Sequence, residues 1–116
     1  MDIENIRNFC LNLKETSESM PFDNTTIVFK VISKMFCLES LDKKQINLKA
    51  NPEKVIELIE NYSSILPGYH MNKKHWITIE LDHFSDDTLL EQLIIDSYNL
   101  VITKMTKNEK EQLKLL

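Results

Sequence analysis

The ten residues from Pro67 to Trp76 concentrate the side chains of this chain that could do chemistry. They hold its only glycine, Gly68, its only tryptophan, Trp76, two of its three histidines, His70 and His75, and the pair Lys73-Lys74. Imidazoles titrate near neutrality and can move protons or ligate metals. His70 and His75 lie five residues apart and His83 eight further on, with no cysteine pair or dense carboxylate cluster beside them. That spacing is no recognised metal-ligand pattern. The sequence has no Gly-x-Ser-x-Gly motif and no evident Cys–His pairing, and a single glycine excludes a phosphate-cradling glycine-rich loop. No cofactor or metal is therefore expected, and the chain reads as a binding module rather than an enzyme. At least one of the two histidines is expected to bond the loop's own backbone, whose polar groups must be satisfied.

The binding chemistry on offer is of two kinds. Lys73 and Lys74, with Lys30 and Lys49 from the strands, could neutralise phosphates, and Trp76 or Tyr69 could stack on an unpaired base. With His70, Asn72 and His75 these form the candidate nucleic-acid-binding set. The plainer alternative makes Lys73-Lys74 a solvated turn and packs Trp76 against the loop. A second alternative is a protein or small-molecule partner, since a lone exposed aromatic beside a rigid loop suits a hot spot or shallow pocket. Such binding would be insensitive to salt, unlike phosphate contact.

Charge constrains the first kind. The net charge is −4, against a dedicated DNA-coating role. Residues 26–80 alone are mildly basic, with eight lysines against six acids, between acidic flanks. Thirteen lysines accompany one arginine, Arg7. Bidentate guanine readout is mainly an arginine property, while lysine acts as a point charge on phosphate, so any nucleic-acid contact should have weak sequence preference.

These groups must be carried by a small scaffold. At 116 residues the chain is expected to be one domain over residues 1–116, able to bury a core without staples. Cys10 and Cys37 both fall on apolar positions and read as free buried thiols in a reducing cytoplasm. No apolar run nears the roughly 18 residues of a membrane span, and the acidic start Met1-Asp2-Ile3-Glu4 is unlike a signal peptide.

Asp2 is placed to cap a helix running to about Lys14, with Ile3, Ile6, Phe9, Cys10 and Leu13 at helical spacing. Residues 15–25 read as a polar connection broken by Pro21, with Phe22 folding back as an anchor. Thr26–Ile32, Met35–Leu41 and Gln45–Lys49 read as a meander of strands, turning at Ser33-Lys34 and Asp42-Lys43-Lys44. Asn51-Pro52 starts a helix with Val55, Ile56, Leu58 and Ile59 on its apolar face. Pro67-Gly68 signals a type II turn, with φ > 0 at Gly68. His75–Leu81 is a fourth strand. Ser85 is the expected N-cap of a last helix to about residue 105, after which the chain either continues that helix or forms a short separate one. The predicted fold is α+β in two layers, order α-βββ-α-β-α, with helices on one face of a four-stranded antiparallel sheet. The other face, with Val28, Lys30, Asn47, Lys49, Trp76, Thr78 and Glu80, should stand bare as a platform.

The segment Pro67-Gly68-Tyr69-His70-Met71-Asn72-Lys73-Lys74-His75-Trp76 closely resembles the signature of the MmcQ/YjbR family. Phe29-Lys30-Val31 through Met35-Phe36, Ile46-Asn47-Leu48-Lys49, and the stretch from Asp96-Ser97-Tyr98 to Val101 also match its pattern, so the resemblance spans nearly the whole chain. It implies a compact bacterial α+β protein of CyaY (frataxin-like) architecture, and DNA binding through a double-wing arrangement. The turns Ser33-Lys34 and Asp42-Lys43-Lys44 would then be the wing tips.

Overall fold

Strand pairing runs further in both directions than the meander alone. The computed structural model describes residues 1–69 and 71–115, and its sheet has six antiparallel strands in the order β1-β2-β3-β4-β6-β5. They are β1 (Thr16–Ser19), β2 (Thr26–Val31), β3 (Lys34–Ser40), β4 (Gln45–Lys49), β5 (Ile65–Pro67) and β6 (Trp76–Glu80). The helices are α1 (Ile3–Leu11), α2 (Pro52–Asn61), α3 (Asp87–Thr103) and α4 (Lys107–Leu115), with a 3₁₀ turn at Leu81–His83. The architecture is α+β, with two edge strands beyond the four expected.

Both added strands are short, and β1 lacks an apolar signature. Thr16-Ser17-Glu18-Ser19 is an exposed edge, held to β2 by Thr16↔Val31 through Ser19↔Val28. An edge strand needs no second apolar face, so its sequence looks like loop. Pro67 ends β5, where its missing N–H costs no ladder bond to a further strand. Other expectations also shift. α1 stops at Leu11, and Asp2 caps it by accepting from the Asn5 N–H at 2.8 Å. The first hairpin turns on Ile32-Ser33, not Ser33-Lys34, with Ile32 at φ 57°. Ile56 lies on the exposed side of α2, whose buried residues are Val55 and Leu58. Asp86, not Ser85, caps α3, accepting from the Leu89 N–H at 3.0 Å. α4 is separate from α3. Thr106 opens it with a capping box, its N–H donating to Glu109 Oε1 and its Oγ1 accepting from the Glu109 N–H.

Phe22 is not an anchor. It is 64% exposed, at the end of a segment that Pro21 keeps from pairing.

The main core lies between the sheet and the helices, with α3 packed on β3 and β4. A bulge lets β3 contribute two consecutive residues to it. Phe29 pairs with Cys37 and Lys30 with Met35, so Phe36 is the extra residue, and both Phe36 and Cys37 are fully buried. Phe36 meets Tyr98 of α3 edge-on, centroids 5.4 Å apart. Ser97 locks the same junction: its Oγ donates to the Phe36 carbonyl at 2.6 Å and accepts the Lys49 N–H at 2.9 Å. Cys10 and Cys37 are free and buried side by side, and their contact and burial hold the Cys37 thiol well above its usual range.

The sheet's far face is not bare. Val28, Leu38 and Trp76 form a second, smaller cluster there, with Met35 and Met71 packed against it. The expectation of an uncovered platform failed because Trp76 packs on this face with Val28 and Leu38, and Met71 of the preceding loop lies against them.

Candidate binding face

Cross-strand register sets out the far face. Thr26, Ser40, Gln45 and Glu80 form one row, and Val28, Leu38, Asn47, Thr78 and Leu66 the next. Lys30 pairs with Met35, and Lys49 with Trp76. Asn47 and Thr78 bond directly, Thr78 Oγ1 donating to Asn47 Oδ1 at 2.6 Å. That pair satisfies a hydroxyl that is otherwise buried.

Gly68 explains how the loop reaches this face. It does not have φ > 0, so the type II turn expectation is corrected. A Cβ on Gly68 would lie 2.7 Å from Trp76 Cβ and 3.0 Å from the Trp76 carbonyl. The lone glycine is there for close approach, not for turn geometry. The Gly68 N–H donates to the Trp76 carbonyl at 2.8 Å, and the Gly68 carbonyl accepts the Met71 N–H at 2.9 Å, which brings Met71 over the cluster. Asn72 then closes the return. Its Oδ1 accepts the Lys74 N–H at 3.0 Å and its carbonyl the His75 N–H at 3.0 Å, an Asx turn. The His75 carbonyl accepts the Ala50 N–H at 2.8 Å, fixing the loop to the end of β4.

The nine predicted residues divide accordingly. Trp76 is only 8% exposed and packs on Val28 and Leu38, so it cannot offer a ring face to a base. Tyr69 can, at 69% exposed. Lys73, Lys74 and Asn72 are exposed at the loop tip, although Asn72 spends its side-chain oxygen on the turn. Lys30, Lys49 and His75 are half-buried. His70 lies outside the described residues. Among the described residues no carboxylate comes within ion-pair distance of Lys30, Lys49, Lys73 or Lys74. Nor do three or more His, Cys, Asp or Glu side chains converge there as a metal would need.

Sequence reasoning missed the concavity itself. A groove of about 420 Å³ runs over the far face, with Phe22 at one margin, Met71 at another, and Met35, Leu38, Gln45 and Asn47 among its lining. Alternation placed Asn47 on this side of the meander, but Met35 and Leu38 differ in parity along β3 and share it only because of the bulge at Phe36. What alternation cannot show is that Phe22, Asp23 and Met71, from loops distant in sequence, line the same surface.

The YjbR family model matches residues 11–100. Escherichia coli O157:H7 has a relative named "Uncharacterized protein YbdF", 37% identical over 96% of this chain and 93% of its own length. The protein named "Uncharacterized protein YjbR" of Escherichia coli K12 is 25% identical over 97% of this chain and 98% of its own. Among solved structures, the Deinococcus radiodurans protein DR2400, described as a DUF419 domain, is similar with a TM-score of 0.89 and 40% identity, covering 97% of this chain and 88% of that one.

Proposed function

The chain belongs to the YjbR family, and we propose that it is a non-enzymatic module that makes weak, largely sequence-nonspecific contact with nucleic acid through the far face of its sheet and the 67–76 loop. One observation carries the reading: the groove on this face is lined by the exposed ring of Phe22 and by Lys43, with Asp23 as its one acid, while the loop that supplies Met71 to it carries the exposed Tyr69 and the lysines Lys73 and Lys74, which have no carboxylate partner among the described residues. Aromatic faces accept any base, and lysines meet phosphates as point charges, so a single strand fits better than a duplex. The free thiols Cys10 and Cys37 suit a cytoplasmic setting for this role. The CyaY-like kinship implied by the family resemblance concerns architecture alone and adds no function.

A second reading has its own support. The groove joins an apolar patch from Phe22, Met35, Leu38 and Met71 to polar groups that include Asp23, Lys43, Gln45 and Asn47, which suits a small molecule or peptide. Fluorescence anisotropy of short labelled single- and double-stranded DNA, repeated at several salt concentrations, separates the two. Nucleic-acid contact predicts single-strand preference, affinity falling steeply with salt, and a several-fold loss in Tyr69→Ala and in Lys73→Ala/Lys74→Ala. No binding at low salt overturns the proposal and leaves the second reading.

A further inference from the structure

Three lysines from three elements meet at the end of the sheet where β3 begins and β4 ends. Lys34, Lys49 and Lys104 line a pocket of about 290 Å³ with Met35, Trp76 and Val101, and no acidic side chain is among its lining. Met35 lines the groove described above as well, so the two concavities adjoin.

Like charges do not gather without a reason. Lys104 has one, since it caps the C-terminus of α3, where the helix dipole favours a cation. Lys34 and Lys49 have no such reason. Among the described residues none of the three is ion-paired. The carboxylate of Glu109, which senses Lys34, is already engaged, accepting from Ser33 Oγ at 3.0 Å and from the Thr106 N–H. Lys49 titrates below the usual lysine range, first because it is partly buried and then because Lys104 and Lys34 repel its charge. A bound dianion would remove that repulsion.

We propose that this pocket is a seat for a phosphate group, held by Lys34, Lys49 and Lys104 over the Trp76 edge of the sheet. A tetrahedral dianion matches the charge of a pocket lined by three lysines better than a planar monoanionic carboxylate does. The seat adjoins the proposed nucleic-acid face but does not depend on it, because a terminal phosphate of a strand and a free phosphorylated small molecule present the same group.

Trp76, the only tryptophan, lines the pocket and reports on it. The test is a titration of the intact protein with inorganic pyrophosphate at constant ionic strength, followed by tryptophan fluorescence against a matched chloride control. The seat predicts a saturable change, affinity lowered at least about tenfold in Lys34→Ala/Lys104→Ala, and affinity retained in Lys34→Arg/Lys104→Arg. Both target residues are exposed, so the variants should fold, and urea midpoints confirm it. Two further arms name the source. A short single strand with a 5′-phosphate that binds more tightly than its 5′-hydroxyl twin assigns the seat to a strand end, and a nucleoside monophosphate that binds as well as pyrophosphate assigns it to a free ligand. Pyrophosphate binding without oligonucleotide binding keeps the seat and removes the nucleic-acid reading. No saturable pyrophosphate response, or equal binding by the alanine variant, overturns the seat even if oligonucleotides bind.

Discussion

Two residues behave in ways that composition does not reveal. Gly68 is tied to Trp76 by the approach of two backbones, so Gly68→Ala should cost about 1 to 3 kcal/mol, from overpacking at the Trp76 Cβ. Urea unfolding measures it, and an unchanged midpoint would mean the loop shifts freely. Glu39 is the other. It faces inward from β3 between Ile27 and Ile46, is fully buried, and neither carboxylate oxygen has a partner among the described residues. Burial first, then the charges of Glu4 and Glu18, push its pKa up to about 8; Arg7 opposes this, and Asp2 adds a little to it. The folded state therefore holds this proton more tightly than the unfolded chain, whose carboxyl titrates near about 4.3. Its contribution to stability is full below that value and is lost as pH rises through about 8. Wild type should lose up to about 3 kcal/mol relative to Glu39→Gln between about pH 6 and pH 8. Parallel stability curves for the two proteins over that range would contradict the assignment. Sequence alone could not mark Glu39, because the bulge at Phe36 resets which β3 residues point inward.

At the scale of elements, legibility followed the strength of the apolar signal. β2, β4, α2 and β6 were placed within a residue or two, since β-branched runs, clean alternation and the Asn51-Pro52 start are local signals. β1 and β5 were missed because each is held by one neighbour, β1 being mostly exposed and β5 only three residues long although Ile65 is buried. Three turns place non-glycine residues, Glu15, Ile32 and Lys44, at positive φ, which glycine-seeking rules overlook. The junction between α3 and the sheet rests on Ser97, a small polar residue inside an apolar stripe that reads as filler. Ser97→Ala would orphan the Phe36 carbonyl and the Lys49 N–H together and should cost about 2 to 3 kcal/mol. Chemical denaturation checks this, and a cost below about 0.5 kcal/mol would show that other groups or water take over both bonds.

Across the whole molecule, one layer of helices leaves the opposite sheet face to two loops. The loops do not leave it open: they insert Met71, keep Trp76 in, and set exposed aromatics and lysines around a groove. The β4 and β6 part of the candidate face was legible in the strand alternation, while the groove's walls were not, because they come from segments almost 50 residues apart. No described helix is long and apolar enough to cross a membrane. The most direct test of the account is residue-resolved NMR of the intact protein as a short single-stranded oligonucleotide is added at low salt. The account predicts shifts confined to Lys30, Met35, Leu38, Asn47, Tyr69, the tip Asn72–Lys74 and the Lys34/Lys104 corner, fading as salt is raised. Shifts mapping to α1 and α2 instead, or none at all, would contradict it.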